Sequence, residues 1–434
     1  MDEANLPVGW NMVTLRDVAS YINGRAFKPS EWEESGLPII RIQNLNDHSA
    51  PYNYSSILHE DKFLVRYGDL LFAWSASLGA HIWHGKDAWL NQHIFRVEPN
   101  GSANKKYLYY ALKYIVTDLY AKTHGSGMVH ITKGPFLATK IPLPLISEQE
   151  AIISKIDELF SDLDNSIEEL QKIKMQLGIY RQAVLKNAFE GKLIKDSIRK
   201  NLSNTQQQVD VKPFNSSIDI ALPLLPHNWC WTTIGEISNG VEYGSSKKSL
   251  KIGKIPVLRM GNIQSGKFKW SDLVYTDDDN EIAKYVLNAG DVLFNRTNSP
   301  VLVGKTAIYN GEQPAIFAGY LIRIKHKEYV NSRYLNYYLN SPIARQCGNK
   351  LKTDGVNQSN INGKKLCQYP FPLCSPDEQK QVVMEIESRL SVCEQIEQTV
   401  DDSLRKAEHL RQSILKQAFE GKLVPQEQEK SHAG

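Results

Sequence analysis

The chain has 434 residues, 41% hydrophobic and 23% charged, which exceeds one ordinary core and fits a soluble globular protein of several domains. No apolar run reaches the roughly 18 residues of a membrane span, and the opening MDEANLPVGW lacks the basic and apolar regions of a signal peptide. The cysteines (Cys230, Cys347, Cys367, Cys374, Cys393) are odd in number and form no CxxC, which argues against structural zinc or a disulfide framework and for a reducing cytoplasm.

In chain order, residues 1–146 read as a mixed α and β domain. LPIIRIQNL (37–45), GDLLFAW (68–74) and NQHIFRVEP (91–99) have strand character between Gly, Pro, Asn and Asp. KKYLYYALKYIVTDLYA (105–121) carries its apolar residues at helical spacing. A Pro-x-Pro closes the domain, because the residue before a proline is pushed out of helical space.

Residues 147–195 read as one long helix, capped by Ser147, with Glu148 and Glu150 where the dipole favours acids. Its apolar stripe steps by threes and fours through Ile152, Ile156, Leu159, Leu163, Ile167, Leu170, Ile173, Leu177, Tyr180, Val184 and Ala188, a coiled-coil seam. Residues 196–222 are a polar linker with few apolar anchors, and 223–374 repeat the mixed domain. Residues 375–424 form a second long helix, opening Ser375-Pro376-Asp377-Glu378 with proline at a tolerated early position. Its stripe runs Val382, Ile386, Leu390, Cys393, Ile396, Val400, Leu404, Ala407, Leu410, Ile414 and Ala418, and 425–434 form a tail. Gly191 and Gly421 stop the two helices.

An internal repeat organises this order. RQAVLKNAFEGKL (181–193) matches RQSILKQAFEGKL (411–423) at 10 of 13 positions. LPVGW (6–10) answers to LPHNW (225–229), LPIIRIQNL to IPVLRMGNI (255–263) and GDLLF (68–72) to GDVLF (290–294). KKYLYYALK (105–113) answers to SRYLNYYLN (332–340), and IPLPL (141–145) to YPFPL (369–373). Gln149 to Phe189 and Gln379 to Phe419 are both 40 residues apart, so two equal stripes can pair along their whole length. The expected fold class is α+β: two duplicated mixed α/β domains, separated by a pair of long antiparallel coiled-coil helices about a pseudo-twofold axis. Packing in that pair is expected from Ile152, Ile156, Leu163, Leu170, Leu177, Val184 and Phe189 against Val382, Ile386, Leu390, Val400, Leu404, Ile414 and Phe419. AFEGKL recurs because each helix docks the end of the opposite half in the same way.

The net charge of +3 is unevenly spread. Residues 211–375 hold 20 basic and 12 acidic side chains, against 14 and 13 in 1–146, while the helical segments are net acidic. A basic module invites a polyanion.

The search for catalysis and metal yields no site. Val303-Gly304-Lys305-Thr306 has the tail of a phosphate-binding loop, but Ser299 stands where that loop needs glycine. Pro376-Asp377-Glu378-Gln379-Lys380 imitates a metal-dependent nuclease set, yet it opens a helix, where acids serve as caps. No NPPY-like tetrapeptide or FxGxG marks a base methyltransferase, and His81 and His84 lack an obvious third ligand. For nucleic-acid readout, the first domain offers Arg25, Lys28, Arg41, Gln43, Asn44, Ser75, Ser77, Lys122, His124 and Ser126. The second offers Tyr243, Ser245, Ser246, Lys247, Lys248, Arg259, Asn262, Asn295, Arg296, Thr297, Asn298, Lys350, Lys352, Asn357, Gln358 and Asn360. These clusters fall at matching places but differ in residue, which is what two readers of different short sequences need. A coiled-coil scaffold with two protein-binding ends is the alternative.

The AFEGKL helix endings, the LPVGW and LPHNW openings, the paired GDLLF and GDVLF strands and the PxPL segments followed by EQ make the chain resemble the specificity (S) subunit of type I restriction–modification systems. The resemblance covers nearly the whole chain. It implies two target-recognition domains, each reading one half of a split DNA site, spaced by the helices, in a subunit that is not itself catalytic. It also implies two modification (M) subunits supplying S-adenosylmethionine chemistry, and restriction (R) subunits adding ATP- and Mg2+-dependent translocation and cleavage. No cofactor is expected on this chain. The LPHNW opening departs slightly from the pattern, and the first half lacks the second's charge surplus.

Overall fold

The computed structural model describes residues 6–47, 49–121, 130–195, 211–214, 220–356 and 358–425; most of the expected linker and tail lie outside these. Contacts divide the chain into two compact units, Met1–Gln171 with Asp401–Gly434, and Lys172–Val400. Each unit therefore takes in part of both long helices.

In the first unit, a four-stranded antiparallel sheet runs Ala19–Asn23, Ile94–Pro99, Leu70–Ala73, Gly79–Ile82 in spatial order. The strand Leu70–Ala73 is wholly buried, as its unbroken apolar sequence requires. A second four-stranded sheet runs Asn53–Ser55, Leu37–Ile40, Ala88–Leu90, Leu64–Val65, with Ile39 parallel to Trp89. LPIIRIQNL thus divides into the strand Leu37–Ile40 and a short helix Ile42–Asn46. The second unit repeats the plan. Its four-stranded sheet runs Ser238–Tyr243, Leu321–His326, Val292–Asn295, Thr306–Ile308, and its second sheet pairs Ile255–Leu258 in parallel with Ile316–Phe317.

The Pro-x-Pro segments are edge strands. Lys140–Leu143 pairs antiparallel with Asn11–Thr14, and Pro370–Leu373 with Cys230–Thr233. Prolines fit such edges because no inner ladder needs their missing N–H. The helix Lys105–Ala121 has no intact counterpart. In the second unit the chain forms Ser332–Leu339 and then Pro342–Leu351, with Ser341 capping the second piece at the Ala344 N–H. Pro342 breaks the run because it lacks an N–H and clashes with the preceding turn.

The long helices span Ile146–Phe189 and Pro376–Phe419, 44 residues each. Ser147 lies inside the first turn and is not its cap, since the helix starts one residue earlier than expected. Both helices end in Schellman geometry: the Lys192 N–H reaches the Asn187 carbonyl at 2.8 Å, and Lys422 reaches Gln417 at 2.8 Å. Gly191 and Gly421 take φ of 70° and 69°, which a side chain would disfavour.

Helix pairing is antiparallel within each unit. In the first, Asp164 pairs with Arg411, whose guanidinium lies 5.0 Å over the Phe160 ring. In the second, Arg181 pairs with Glu397 at 2.7 Å. Ile152, Ile156, Leu163, Leu177, Val184, Val382, Ile386, Val400 and Ile414 are buried as the stripe requires, and Leu170, Leu390 and Leu404 are partly covered. Ile173, Tyr180, Ile396 and Leu410 depart from it and are exposed. A straight helix drifts by about 20° per heptad against a 3.5-residue repeat, so one two-helix seam cannot cover every position.

The recurring AFEGKL has its physical cause here. Phe419 enters the core of the first unit, 5.3 Å from the ring of Tyr107 and 5.1 Å from Tyr114. Phe189 enters the second, 5.1 Å from Tyr334 and 5.3 Å from Tyr338. Tyr107 and Tyr334 each donate to a Pro-x-Pro carbonyl, Pro142 and Pro372, at 2.8 Å. The paired glutamines complete the frame. Buried Gln149 accepts the Asn104 N–H and donates to the Ser102 and Pro144 carbonyls, and Gln379 does the same with Asn331, Tyr329 and Cys374. In the second unit, Trp229 of LPHNW donates to buried Glu378 at 3.1 Å.

Candidate nucleic-acid interface

In each unit, strands from both sheets end together, and the polar loops start where they end. In the first unit these loops begin with Asn23, Gly24 and Arg25. The Gly24 N–H donates to Ile94 and the Arg25 N–H to Leu90, so the chain passes from one sheet to the other. A Cβ on Gly24 would meet the Asn91 carbonyl oxygen at 2.1 Å, so only glycine fits. Arg25 pairs with Glu31 at 2.5 Å and lies 4.9 Å over Phe27; its hydrogen bond holds the Glu31 carboxyl below the usual range. Lys28 is exposed in the same turn. Arg41 leaves the end of Leu37–Ile40, half-buried, with its guanidinium 5.6 Å over Trp32. Gln43 is exposed and Ser77 half-buried. Trp74, at the end of Leu70–Ala73, donates its indole N–H to Asn23 Oδ1 at 3.1 Å and packs on His93 and Phe95.

The second unit shows the same plan with other side chains. Gly244 follows the strand Ser238–Tyr243, and a Cβ there would meet the Phe317 carbonyl oxygen at 2.3 Å. Ser246, Lys247 and Lys248 follow, exposed. Lys247 pairs with Asp278, which raises the lysine pKa and lowers that of the carboxyl. Arg259 leaves the end of Ile255–Leu258 and donates to the Asp272 carbonyl at 2.7 Å. A small sheet in the order Thr297–Asn298, Ser359–Asn360, Thr353–Asp354 gathers the remaining candidates. In it Asn360 donates to Thr297 Oγ1 at 2.7 Å, Lys352 to the Pro300 carbonyl at 3.3 Å, and Arg296 lies 4.9 Å over the Tyr243 ring. Asn298 lies in its first strand, Gln358 directly precedes Ser359, and Lys350 lies in the helix Pro342–Leu351 that leads into it. Arg259 lies on the neighbouring strand end, outside this sheet.

Five candidates need correction. Asn44, Ser75, Ser245, Asn262 and Asn295 are buried, so no base edge reaches them. Asn44 and Asn262 accept the Arg41 and Arg259 N–H groups and donate to loop carbonyls. Ser245 accepts the Lys247 N–H, Asn295 accepts the Thr297 N–H, and Ser75 forms a bridge to His130. Short polar side chains just past a strand satisfy local backbone as readily as a ligand. Lys122, His124, Ser126 and Asn357 lie outside the described residues.

Sequence reasoning missed Trp32, Trp74, His93, Tyr320 and Lys365. The signal was present in the alignment of GDLLFAW with GDVLFNR, which sets Trp74 against Arg296. Lys365 joins the small sheet by donating to Thr353 Oγ1 at 2.6 Å, and Tyr320 is 53% exposed beside Arg296.

The described residues hold no group of three His, Cys, Asp or Glu placed to bind a metal ion. His81 and His84 line a cleft of about 600 Å³ in the first unit with Lys105 and Tyr109, and His84 meets the Tyr67 ring edge-on at 5.5 Å. Burial pushes the Cys347 thiol up to about 12, which keeps it protonated. Asp377 pairs with Lys380 at 3.2 Å on the helix surface while Glu378 is buried, so the two acids do not converge. Among the described residues, no helix is long and apolar enough to cross a membrane.

A family model described as "Type I restriction modification DNA specificity domain" matches residues 7–175 and 226–405. The EcoBI specificity subunit of a type I restriction enzyme from Escherichia coli is 27% identical over 428 residues, 96% of this chain and 87% of that one. The MjaVIII specificity subunit from Methanocaldococcus jannaschii is 26% identical over 402 residues, 89% and 88% of the two chains. A solved structure described as "Structural basis underlying complex assembly and conformational transition of the type I R-M system" contains a chain with the same fold: TM-score 0.68, 18% identity, covering 96% of this chain and 99% of that one.

Proposed function

The chain belongs to the type I restriction modification DNA specificity family, with one specificity domain in each half, and from that premise we propose that it is the DNA sequence-recognition subunit of a restriction–modification complex. Each unit reads one half of a bipartite target. The observation that carries this reading is the strand-end frame built twice, Gly24 with Arg41 and Gly244 with Arg259, around loops whose exposed side chains differ. A shared frame with divergent tips suits two readers of unlike half-sites. A scaffold with two protein-binding ends would not call for lysines, arginines and half-exposed aromatics at both loop clusters.

Phosphate contacts fall to Arg25, Lys28, Lys247, Lys248, Lys350 and Lys352 in this reading. Base contacts fall to Arg41, Gln43, Ser77, Ser246, Arg259, Arg296, Thr297, Asn298, Gln358 and Asn360, with Tyr243 supporting Arg296. The partners are double-stranded DNA, two modification (M) subunits seated along the helix pair, and restriction (R) subunits. S-adenosylmethionine, ATP and Mg2+ enter through those other subunits. The equal 44-residue helices support a further part of the reading, that their length selects the gap between half-sites.

A gel shift with duplexes of random sequence tests the assignment, using the full chain with and without its modification subunit. Enrichment of one bipartite motif by the complex is expected; binding without sequence preference would overturn it. Removing one heptad from each long helix should shift the tolerated gap, read by mapping methylated sites. An unchanged gap would sink that part alone.

A further inference from the structure

GDLLFAWS (68–75) and GDVLFNRT (290–297) align without a gap, which puts Trp74 and Arg296 in register. The backbone around them is the same. Trp74 donates its N–H to the His93 carbonyl and accepts the Ile131 N–H; Arg296 donates to Tyr320 and accepts from Ile361. The side chains also meet equivalent partners, at the end of the outer strand two places away in the same sheet. The Trp74 indole N–H donates to Asn23 Oδ1, and the Arg296 guanidinium lies over the Tyr243 ring. One position, supported in one way, therefore carries two different chemistries.

We propose that Trp74 and Arg296 are the same specificity-determining position in the two units, and that each selects a different base pair in its own half-site. This rests on the DNA-reading assignment above. Arg296 is half-buried with Nε enclosed and without a partner, and its terminal nitrogens make no hydrogen bond among the described residues. A guanidinium held over a ring, whose two outer nitrogens make no hydrogen bond among the described residues, matches the O6 and N7 acceptors of guanine. Trp74 has one donor, and Asn23 occupies it. What it presents is an apolar ring, which suits the thymine methyl and has no hydrogen bond to offer a guanine. The first unit selects an A·T pair at this position, and the second a G·C pair.

The test uses the full chain co-purified with its modification subunit, selecting duplexes from a randomised pool and sequencing the winners. Arg296→Ala should make one guanine of the wild-type motif degenerate, with discrimination falling on the order of 10- to 100-fold and the other half-site unchanged. Arg296→Gln keeps a planar polar end and should move the preference towards adenine. Trp74→Ala should relax one A·T pair in the opposite half-site, while Trp74→Phe, which keeps an apolar ring, should preserve it. If Arg296→Ala does not fold, Arg296→Gln decides alone. The inference is overturned if both sites alter the same half of the motif. It is equally overturned if affinity falls alike on all sequences with the motif intact. A wild-type complex that selects no motif would overturn the DNA-reading assignment, and this inference with it; a wild-type motif that survives every substitution overturns only the inference.

Discussion

The Arg296 guanidinium lies 4.9 Å from the centroid of the Tyr243 ring, and the Tyr243 hydroxyl accepts the Gly363 N–H at 2.7 Å. One aromatic side chain thus both supports a cation and ties the outer strand to the segment after the small sheet. The two jobs separate by mutation. Tyr243→Phe keeps the ring and loses a hydrogen bond, so stability should fall by about 1 kcal/mol with the selected DNA motif unchanged. Tyr243→Ala also removes the platform, and discrimination at one base pair should weaken. Thermal unfolding and motif selection on both variants check this.

Two adjacent lysines should behave differently towards salt. Lys247 pairs with Asp278 and lies 3.8 Å from Glu281, whereas Lys248 is exposed with no ion pair among the described residues. Lys248→Ala should lower the slope of log binding constant against log salt by about 1, as a lost phosphate contact does. Lys247→Ala should change that slope less, because its charge is already partly neutralised. Titrations at several salt concentrations measure both.

The strand-end glycines admit no side chain. Gly244→Ala would drive a methyl into the Phe317 carbonyl oxygen, 2.3 Å away, and the backbone must shift to relieve it. Reading of one half-site should be lost while the other is kept, and the same holds for Gly24→Ala in the other unit. Mapping of methylated sites distinguishes the two halves.

Phe189 and Phe419 are fully buried, each between two tyrosines of the unit it enters. Phe419→Ala should cost about 3–5 kcal/mol. Amide hydrogen exchange should speed first around Tyr107 and Tyr114, more than 300 residues away in sequence. Exchange that rises chiefly around Tyr334 and Tyr338 would contradict the packing.

The fold was legible where the repeat was strong. AFEGKL, the GD-hydrophobic strands and the threes-and-fours stripe each have one physical cause, a buried phenylalanine, a buried strand and a helix seam. The interface was legible only in part. Asn44 and Asn262 look like readers in sequence, yet each completes a turn started by the arginine three residues earlier, and sequence alone does not say whether a short amide bonds inward or outward. Trp74 failed in the opposite direction. An aromatic at the end of a buried strand reads as core; the alignment sets Trp74 against Arg296, and backbone partners equivalent to those of Arg296 mark it as a tip. Ile173 and Leu410 show the limit of the stripe: period tells which residues share a face, not how wide a neighbour covers it.

Phe419, Ile414 and Leu415 belong to the same packed interior as Trp10 and Leu15, near the other end of the chain. A chain emerging from the ribosome therefore cannot close its first unit until the helix Pro376–Phe419 has been made. The second unit, whose residues run unbroken from Lys172 to Val400, has all of its pieces sooner, so the half translated first is the half that must wait.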